Sequence, residues 1–166
     1  MNDGRWGSQL LETLERNRMK LVIQKCGPSS VTVDGRVIGQ INHGFVILVG
    51  VGDQDGPEDI NYCVRKVAKM RIFEDDQGKT NLSLADVGGS ILSISQFTLL
   101  ADTKKGNRPS FVHAATPDLA EDYYQQFNEA LRQEGYHVET GQFGADMTLS
   151  LENQGPMTIV LDSKNK

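Results

Sequence analysis

The chain has little of what disulfide, metal or membrane scaffolds are built on. Only two of its 166 residues are cysteines, Cys26 and Cys63, and no Cys-x-x-Cys pair occurs. That excludes a disulfide framework and a thiolate metal cage, and it reads as two free thiols in a reducing, cytoplasmic setting. The three histidines, His43, His113 and His137, stand far apart with no partner at helical i, i+4 spacing. No dedicated metal site, and no metal cofactor, is expected. No apolar run nears the roughly 18 residues a membrane helix needs. The longest, Phe45 to Val49, is strand-sized, so no membrane partner is expected. Positive charge is also short: 17 Lys and Arg face 22 Asp and Glu, a formal net charge of −5. Coating a nucleic-acid backbone needs clustered positive charge, which argues against DNA as a partner but leaves room for a local contact with an RNA end.

What remains is globular composition, 38% hydrophobic and 23% charged, in a chain long enough for one self-sufficient core. Residues 1–18 are no secretory signal, because acids and bases interrupt their apolar content; Met19-Lys20 before an apolar strand looks like a natural start, so 1–18 read as a leader or extension outside the fold. Residues 19–166 read as a single domain. Leu21 to Gln24 and Val31 to Ile38 are β-rich, and Asp34-Gly35 predicts a two-residue hairpin turn. Gly44 to Val51 is continuously apolar, the pattern of a strand buried on both faces. Pro57 opens a helix with Glu58 and Asp59 at its positive end, and Ile60, Val64, Val67 and Ala68 predict one buried face up to about Arg71. Asp75 to Gly78 is turn chemistry. Ser90 to Leu100 reads as strand, followed by a long polar loop, 101–115. Thr116 and Pro117 then cap and open a second helix, with Leu119, Tyr123, Phe127, Ala130 and Leu131 as its stripe and Gly135 as its stop. Strands at 136–140, 147–151 and 157–161 follow, the last two flanking a turn at 152–156. The order predicts an α+β or mixed α/β fold with two helices on a sheet.

Candidate chemistry is sparse. Strand alternation would put Ser95 and Phe97 on one face and Gln96 and Thr98 on the other. These residues fit a ligand-facing strand end or an ordinary half-buried strand. Gly155-Pro156 fits a plain turn or a shaped backbone that offers carbonyl oxygens to a ligand, since X-Pro is the bond where cis costs little. His113 is a general base or an idle loop histidine. Thr158 has no adjacent base to make it a nucleophile.

Taken together, Ser95-Gln-Phe-Thr-Leu99 and Asn153-x-Gly155-Pro156-x-Thr158 resemble the D-aminoacyl-tRNA deacylase family. Matching stretches between them include Lys69-Met-Arg-Ile-Phe73, Asn81-Leu-Ser83, Arg108-Pro-Ser-Phe111 and Gly141-x-Phe143-Gly-Ala-Asp-Met147. The resemblance runs from Met19 to about Ser163. It implies a homodimer of curved, mostly antiparallel sheets with two packed helices. The implied reaction is hydrolysis of the ester between a D-amino acid, and glycine as well, and the terminal adenosine of tRNA.

By the same resemblance, a cis Gly155-Pro156 enters the other subunit's pocket, receives the substrate ammonium on its carbonyls and excludes an L side chain. Met157 borders it. Ser95, Gln96 and Phe97 line the scissile ester, Thr158 sits near the Gly-Pro turn, and Ala115, Phe143 and Met147 enclose the adenine. Two routes are open for the chemistry. Either Thr158 attacks, or water does, assisted by the RNA 2′-hydroxyl with Gln96 and backbone amides steadying the oxyanion. The second is preferred, because no motif histidine or carboxylate is placed to activate Thr158. The sequence departs from the family pattern at Lys25, where arginine is usual as a brace for the Gly-Pro motif, and at Met157, where valine is commoner. Lysine keeps the charge and loses the planar fork. The rival readings are a sister enzyme that clears an L-amino acid such as alanine, and a non-catalytic module for a tRNA end. Two basic groups could meet phosphate: Arg65, Lys66, Lys69 and Arg71, and Lys104, Lys105 and Arg108.

Overall fold

The computed structural model describes residues 19–164, so the expectation for 1–18 lies outside the described residues. Among the described residues the fold is mixed α+β with two α-helices. Ten strands form three sheets: β1 (Lys20–Cys26), β2 (Ser29–Val33), β3 (Arg36–Ile41), β4 (Gly44–Gly50), β5 (Arg71–Glu74), β6 (Thr80–Ser83), β7 (Ser90–Ser95), β8 (Val138–Thr140), β9 (Thr148–Ser150) and β10 (Asn153–Asp162). Helix α1 spans Pro57–Lys69 and α2 spans Pro117–Gln133. The main sheet runs β10-β1-β4-β7-β8, with β2 and β9 joining β3 in a second sheet and β5 pairing β6 in a small hairpin. Pairing is antiparallel except for β4–β7 and β7–β8. No helix among the described residues is long and apolar enough to cross a membrane.

The continuous apolar run of β4 is explained by its place between two cores. Phe45, Ile47 and Val49 face the helices, together with Leu21, Ile23, Val67 and Phe127. Val46 faces the second sheet with Val31, Leu92 and Ile94. Each fully buried side chain of this size adds about 2 kcal/mol of hydrophobic stabilisation. Cys26 and Cys63 are free and buried, one in each core. Burial pushes the Cys63 thiol up to about 12, so it is inert.

Several expected boundaries move. Asp34 and Gly35 form the hairpin turn with positive φ as anticipated. Helix α1 stops at Lys69 because Arg71 begins β5. Thr116 stands at the start of α2, but its hydroxyl makes no capping bond, and Ala120 N donates to the Thr116 carbonyl at 2.9 Å instead. The buried stripe of α2 is Ala120, Tyr124, Phe127, Asn128 and Leu131, so Leu119, Tyr123 and Ala130 flank it. The strand expected over 90–100 ends at Ser95, and Phe97–Leu100 is a 3-10 turn. The turn expected at 152–156 lies within β10. The β5–β6 hairpin around Asp75 to Gly78 was not legible as strands, because its runs are only four residues each.

Candidate active site

One cleft of about 600 Å³ opens where β4 and β7 end. Its formation starts from a break in the sheet. Gln96 N closes the last ladder bond to Val49 O at 2.7 Å, and Leu99 N then donates back to Gln96 O at 3.2 Å. The chain therefore turns instead of continuing as strand. Gly50 makes the turn possible: a Cβ there would lie 2.7 Å from Leu100 Cδ2 and 2.9 Å from Leu99 Cβ. The turn corrects the strand-alternation reading, because Ser95, Gln96 and Phe97 all line the same cleft.

The opposite walls come from two other segments. Phe111, Ala114 and Ala115 lead into Pro117 and Ala120 of α2, while Phe143 to Met147 come from the loop before β9. The 113–115 segment is held against β4 by Ala115 N to Val51 O at 3.0 Å and Asp53 N to His113 O at 3.0 Å. Phe97 meets Phe111 edge-on, with centroids 5.1 Å apart. Phe143 leans on Tyr124, whose hydroxyl donates to Ser93 O at 2.6 Å. The walls are mostly apolar, and Asp146 is their one charged residue. An uncharged aromatic group fits such a surface. Gln96 Nε2 donates to Thr98 Oγ1. The Gln96 backbone N–H is committed to Val49 O and its carbonyl to Leu99 N.

A buried carboxylate supports one wall. Asp55 Oδ2 accepts Gly52 N at 2.6 Å, and Gly52 pairs with Ala114. Burial pushes Asp55 up to about 7, with the Asp59 charge adding to it and the Gly52 N–H opposing it. Burial also acts to raise Asp59, but hydrogen bonds from Gly56, Lys164 and Ser163 hold it below the ordinary carboxylate value.

The structure brings Ser95, Gln96, Phe97, Ala115, Phe143 and Met147 together, and it sets Lys25, Gly155, Pro156, Met157 and Thr158 apart. Register shows how. Gln24 pairs with Thr158 but Cys26 with Asn153, so Lys25 alone faces the four residues 154–157, which bulge out of the edge strand. Gly155 and Pro156 are exposed and their peptide is cis, as the resemblance implies. Asn153 ties the bulge at its base: its Oδ1 accepts Met157 N at 3.0 Å, and its Nδ2 donates to Gln24 Oε1 at 3.0 Å and Thr158 Oγ1 at 2.9 Å. The Thr158 hydroxyl therefore meets amide groups and no base. Lys25 Nζ lies 5.4 Å from the Phe73 ring centroid, a cation–π contact. His113 Nε2 lies 3.9 Å from Asp102 Oδ2, at the base of the 102–110 loop and off the cleft lining. Ser95 is level with Leu161, three residues beyond Thr158, through Val49 and Leu21. Ser95 and Thr158 are thus about 14 Å apart across the strands and about 10 Å along them.

Sequence reasoning missed Phe111, Ala114 and Asp146 as cleft walls, and Gln24 and Asn153 as the ties of the bulge. Arg108-Pro-Ser-Phe111 and Asn153 were visible as motif residues, but contacts between distant segments assign their places.

Comparison with known proteins gives the family and the fold. The family model described as D-Tyr-tRNA(Tyr) deacylase matches residues 22–162. A D-aminoacyl-tRNA deacylase of Lactobacillus acidophilus is 56% identical over 144 residues, 87% of this chain and 99% of that protein. A solved structure named c-Myc DNA Unwinding Element Binding Protein superposes with a TM-score of 0.81 at 39% identity, covering 86% of this chain and 97% of its own. A structure described as a probable eukaryotic D-amino acid tRNA deacylase reaches 0.75 at 19% identity, over 87% of this chain and 99% of that one, which speaks to the fold alone.

Proposed function

The chain belongs to the D-Tyr-tRNA(Tyr) deacylase family, and from that premise we propose how its two separated features carry out one reaction. The enzyme hydrolyses D-aminoacyl-tRNA. Water adds to the ester carbonyl, the bond to the ribose oxygen breaks, and a proton passes to that oxygen. The apolar cleft takes the terminal adenosine, with Phe143, Met147 and Ala115 around the base. The Ser95 and Gln96 side chains face the ester. The Gly155 and Pro156 carbonyls of a second subunit receive the substrate ammonium, and their fixed backbone clashes with an L-side Cβ. Glycine has no Cβ and passes the same filter. Thr158 stays a structural hydroxyl, and the RNA 2′-hydroxyl assists water. Lys25 braces the bulge more loosely than arginine would. The setting is the cytoplasm, where charged tRNA is used.

The observation that carries the cross-subunit reading is the separation itself: one chain holds a cleft and an exposed bulge that do not meet. A second observation supports it. Val160, Val22, Leu48 and Ile94 form one row across four strands. The row runs from Val160, 68% exposed, to Ile94 in the cleft wall. An apolar strip that ends at the cleft suits a self-complementary homodimer face.

The test is complementation. Gln96→Ala disables the cleft and Gly155→Val disables the bulge. Mixing the two inactive proteins after dissociation should restore about a quarter of wild-type D-tyrosyl-tRNA hydrolysis, because half the reassorted dimers carry one intact composite site. No recovery from demonstrably mixed dimers, or a fully active monomer, rejects the composite site. The name of one structural neighbour carries a second reading, DNA binding, which predicts duplex binding without ester release.

A further inference from the structure

The cleft offers no cation, yet the proposed substrate arrives attached to a phosphodiester strand. Of the two basic groups in the sequence, geometry separates them. The α1 group lies beside the far half of α2. The Tyr136 hydroxyl, just past the C-terminal end of α2, donates at 2.7 Å to the carbonyl of Ala68, which lies among these cations, and the first turn of α1 borders the same half of α2 at Gln126, Glu129, Ala130 and Gln133. The cleft is at the other end of α2, at Pro117 and Ala120. A helix of 17 residues is about 25 Å long, so these cations sit away from the cleft. Lys66 is also engaged, its Nζ 5.7 Å from the Tyr62 ring centroid.

The other group is on a loop whose two stems are cleft wall. Residues 102–110 leave just after the Phe97–Leu100 turn and return just before Phe111, and Phe97 and Phe111 pack against each other. The loop is pinched shut at its base by Asp102 N to Ser110 O at 2.7 Å and Ser110 N to Asp102 O at 2.8 Å. Asp102 Oδ1 accepts Lys104 N at 3.0 Å, and that bond shapes the first turn. Everything from Thr103 to Ser110 is exposed, and the ion pairs among the described residues leave out Lys104, Lys105 and Arg108. No acid lies between Thr103 and Ser110.

We propose that Lys104, Lys105 and Arg108 form a phosphate clamp at the cleft rim. It holds the backbone of the single-stranded RNA that leads away from the terminal nucleoside. The proposal rests on the deacylase reading of the cleft. It also resolves the acidic net charge: binding to the RNA backbone is confined to one loop, and the rest of the surface does not attract it.

The experiment compares two substrates on the full-length protein, D-tyrosyl-tRNA and D-tyrosyl-adenosine, the second with no phosphate. In the triple variant Lys104→Ala, Lys105→Ala, Arg108→Ala, the ratio of kcat/KM on tRNA to that on the nucleoside ester should fall about 10-fold or more, through KM. The slope of log affinity for uncharged tRNA against log salt should shrink by about 2, from roughly 0.7 per lost phosphate contact on a single strand. Lys104→Arg with Lys105→Arg should keep the wild-type ratio. An equal loss on both substrates would show that the loop only supports the cleft. An unchanged salt slope, or a slope that shrinks instead in Arg65→Ala, Lys66→Ala, Lys69→Ala, would overturn the clamp. If the wild type hydrolyses neither ester, the deacylase reading fails, and the tRNA salt slope still decides whether the loop binds phosphate.

Discussion

The cleft and the 153–158 bulge are built by opposite means. The cleft is assembled from four stretches far apart in sequence, on a floor of buried β4 and β7, and its parts are fixed by packing. The bulge is one short stretch on an edge strand, with Gly155 and Pro156 exposed and its base fixed by the Asn153 side chain, itself tied to Gln24. Packing specifies a hollow, whereas a local hydrogen-bond tie specifies a projection. On the proposed cross-subunit reading, a hollow and a projection that do not meet in one chain are complementary parts for two.

The sharpest break of this pairing is on the projection. Gly155 sits at φ +119, and a Cβ there would lie 3.2 Å from Met157 N. Gly155→Val should lower kcat/KM for D-tyrosyl-tRNA at least ~100-fold while costing about 1–3 kcal/mol of stability, because a lone exposed bulge carries little of the core. Denaturant unfolding with parallel kinetics checks it, and a large stability loss with modest activity loss would reverse the assignment of the two parts. On the hollow the effects should be coupled. Gly50→Ala pushes the Phe97–Leu100 turn off the strand end, so activity should fall about 10-fold together with about 1–3 kcal/mol of stability from overpacking. Retained activity in that variant would mean the turn does not shape the site.

A smaller effect comes from pH. Asp55, raised by burial to about 7 against an ordinary 3.8, binds its proton more tightly folded than unfolded. Its contribution to stability is complete below about pH 4 and is lost as pH rises to about 7. Asp59, held low, has the opposite sign and matters only under acid. The thermal midpoint should therefore drop by about 5 °C from pH 5 to 8. Asp55→Asn keeps the acceptor for Gly52 N and should flatten that slope. An unchanged slope assigns the pH response elsewhere.

What was legible in the sequence follows the same division. The buried face of α1, the Asp34-Gly35 hairpin and the doubly buried β4 obey local periodicity and turn chemistry, so they read directly, whereas the stripe of α2 was only partly legible. The end of β7 did not, because the residue that ends it is Gly50, on a different strand, which admits the turn by close approach. The bulge was read as a turn, since nothing local says that the chain rejoins β1 on both sides of it. Ser95, Gln96 and the Gly-Pro pair were found through family resemblance. Residue chemistry alone left each open between a ligand-facing position and an ordinary strand or turn.

Thr158 supplies the smallest effect and the most discriminating one. It lies on the projection, so a covalent mechanism would place the nucleophile there, and the hollow would be only a receptacle. Its hydroxyl accepts from Asn153 at 2.9 Å and lies 3.4 Å from Gln24 Oε1, an amide oxygen that cannot take its proton. An unactivated threonine hydroxyl is a poor nucleophile. Thr158→Ala should therefore keep kcat within about threefold, the size of effect expected from losing one exposed hydrogen bond of about 0.5–1 kcal/mol. Single-turnover hydrolysis of D-tyrosyl-tRNA measures it directly. Abolished turnover in a folded dimer would move the chemistry onto the projection. Retained turnover, with a marked loss on a substrate ending in 2′-deoxyadenosine, assigns the assisting hydroxyl to the RNA and leaves both protein parts as the mould around it.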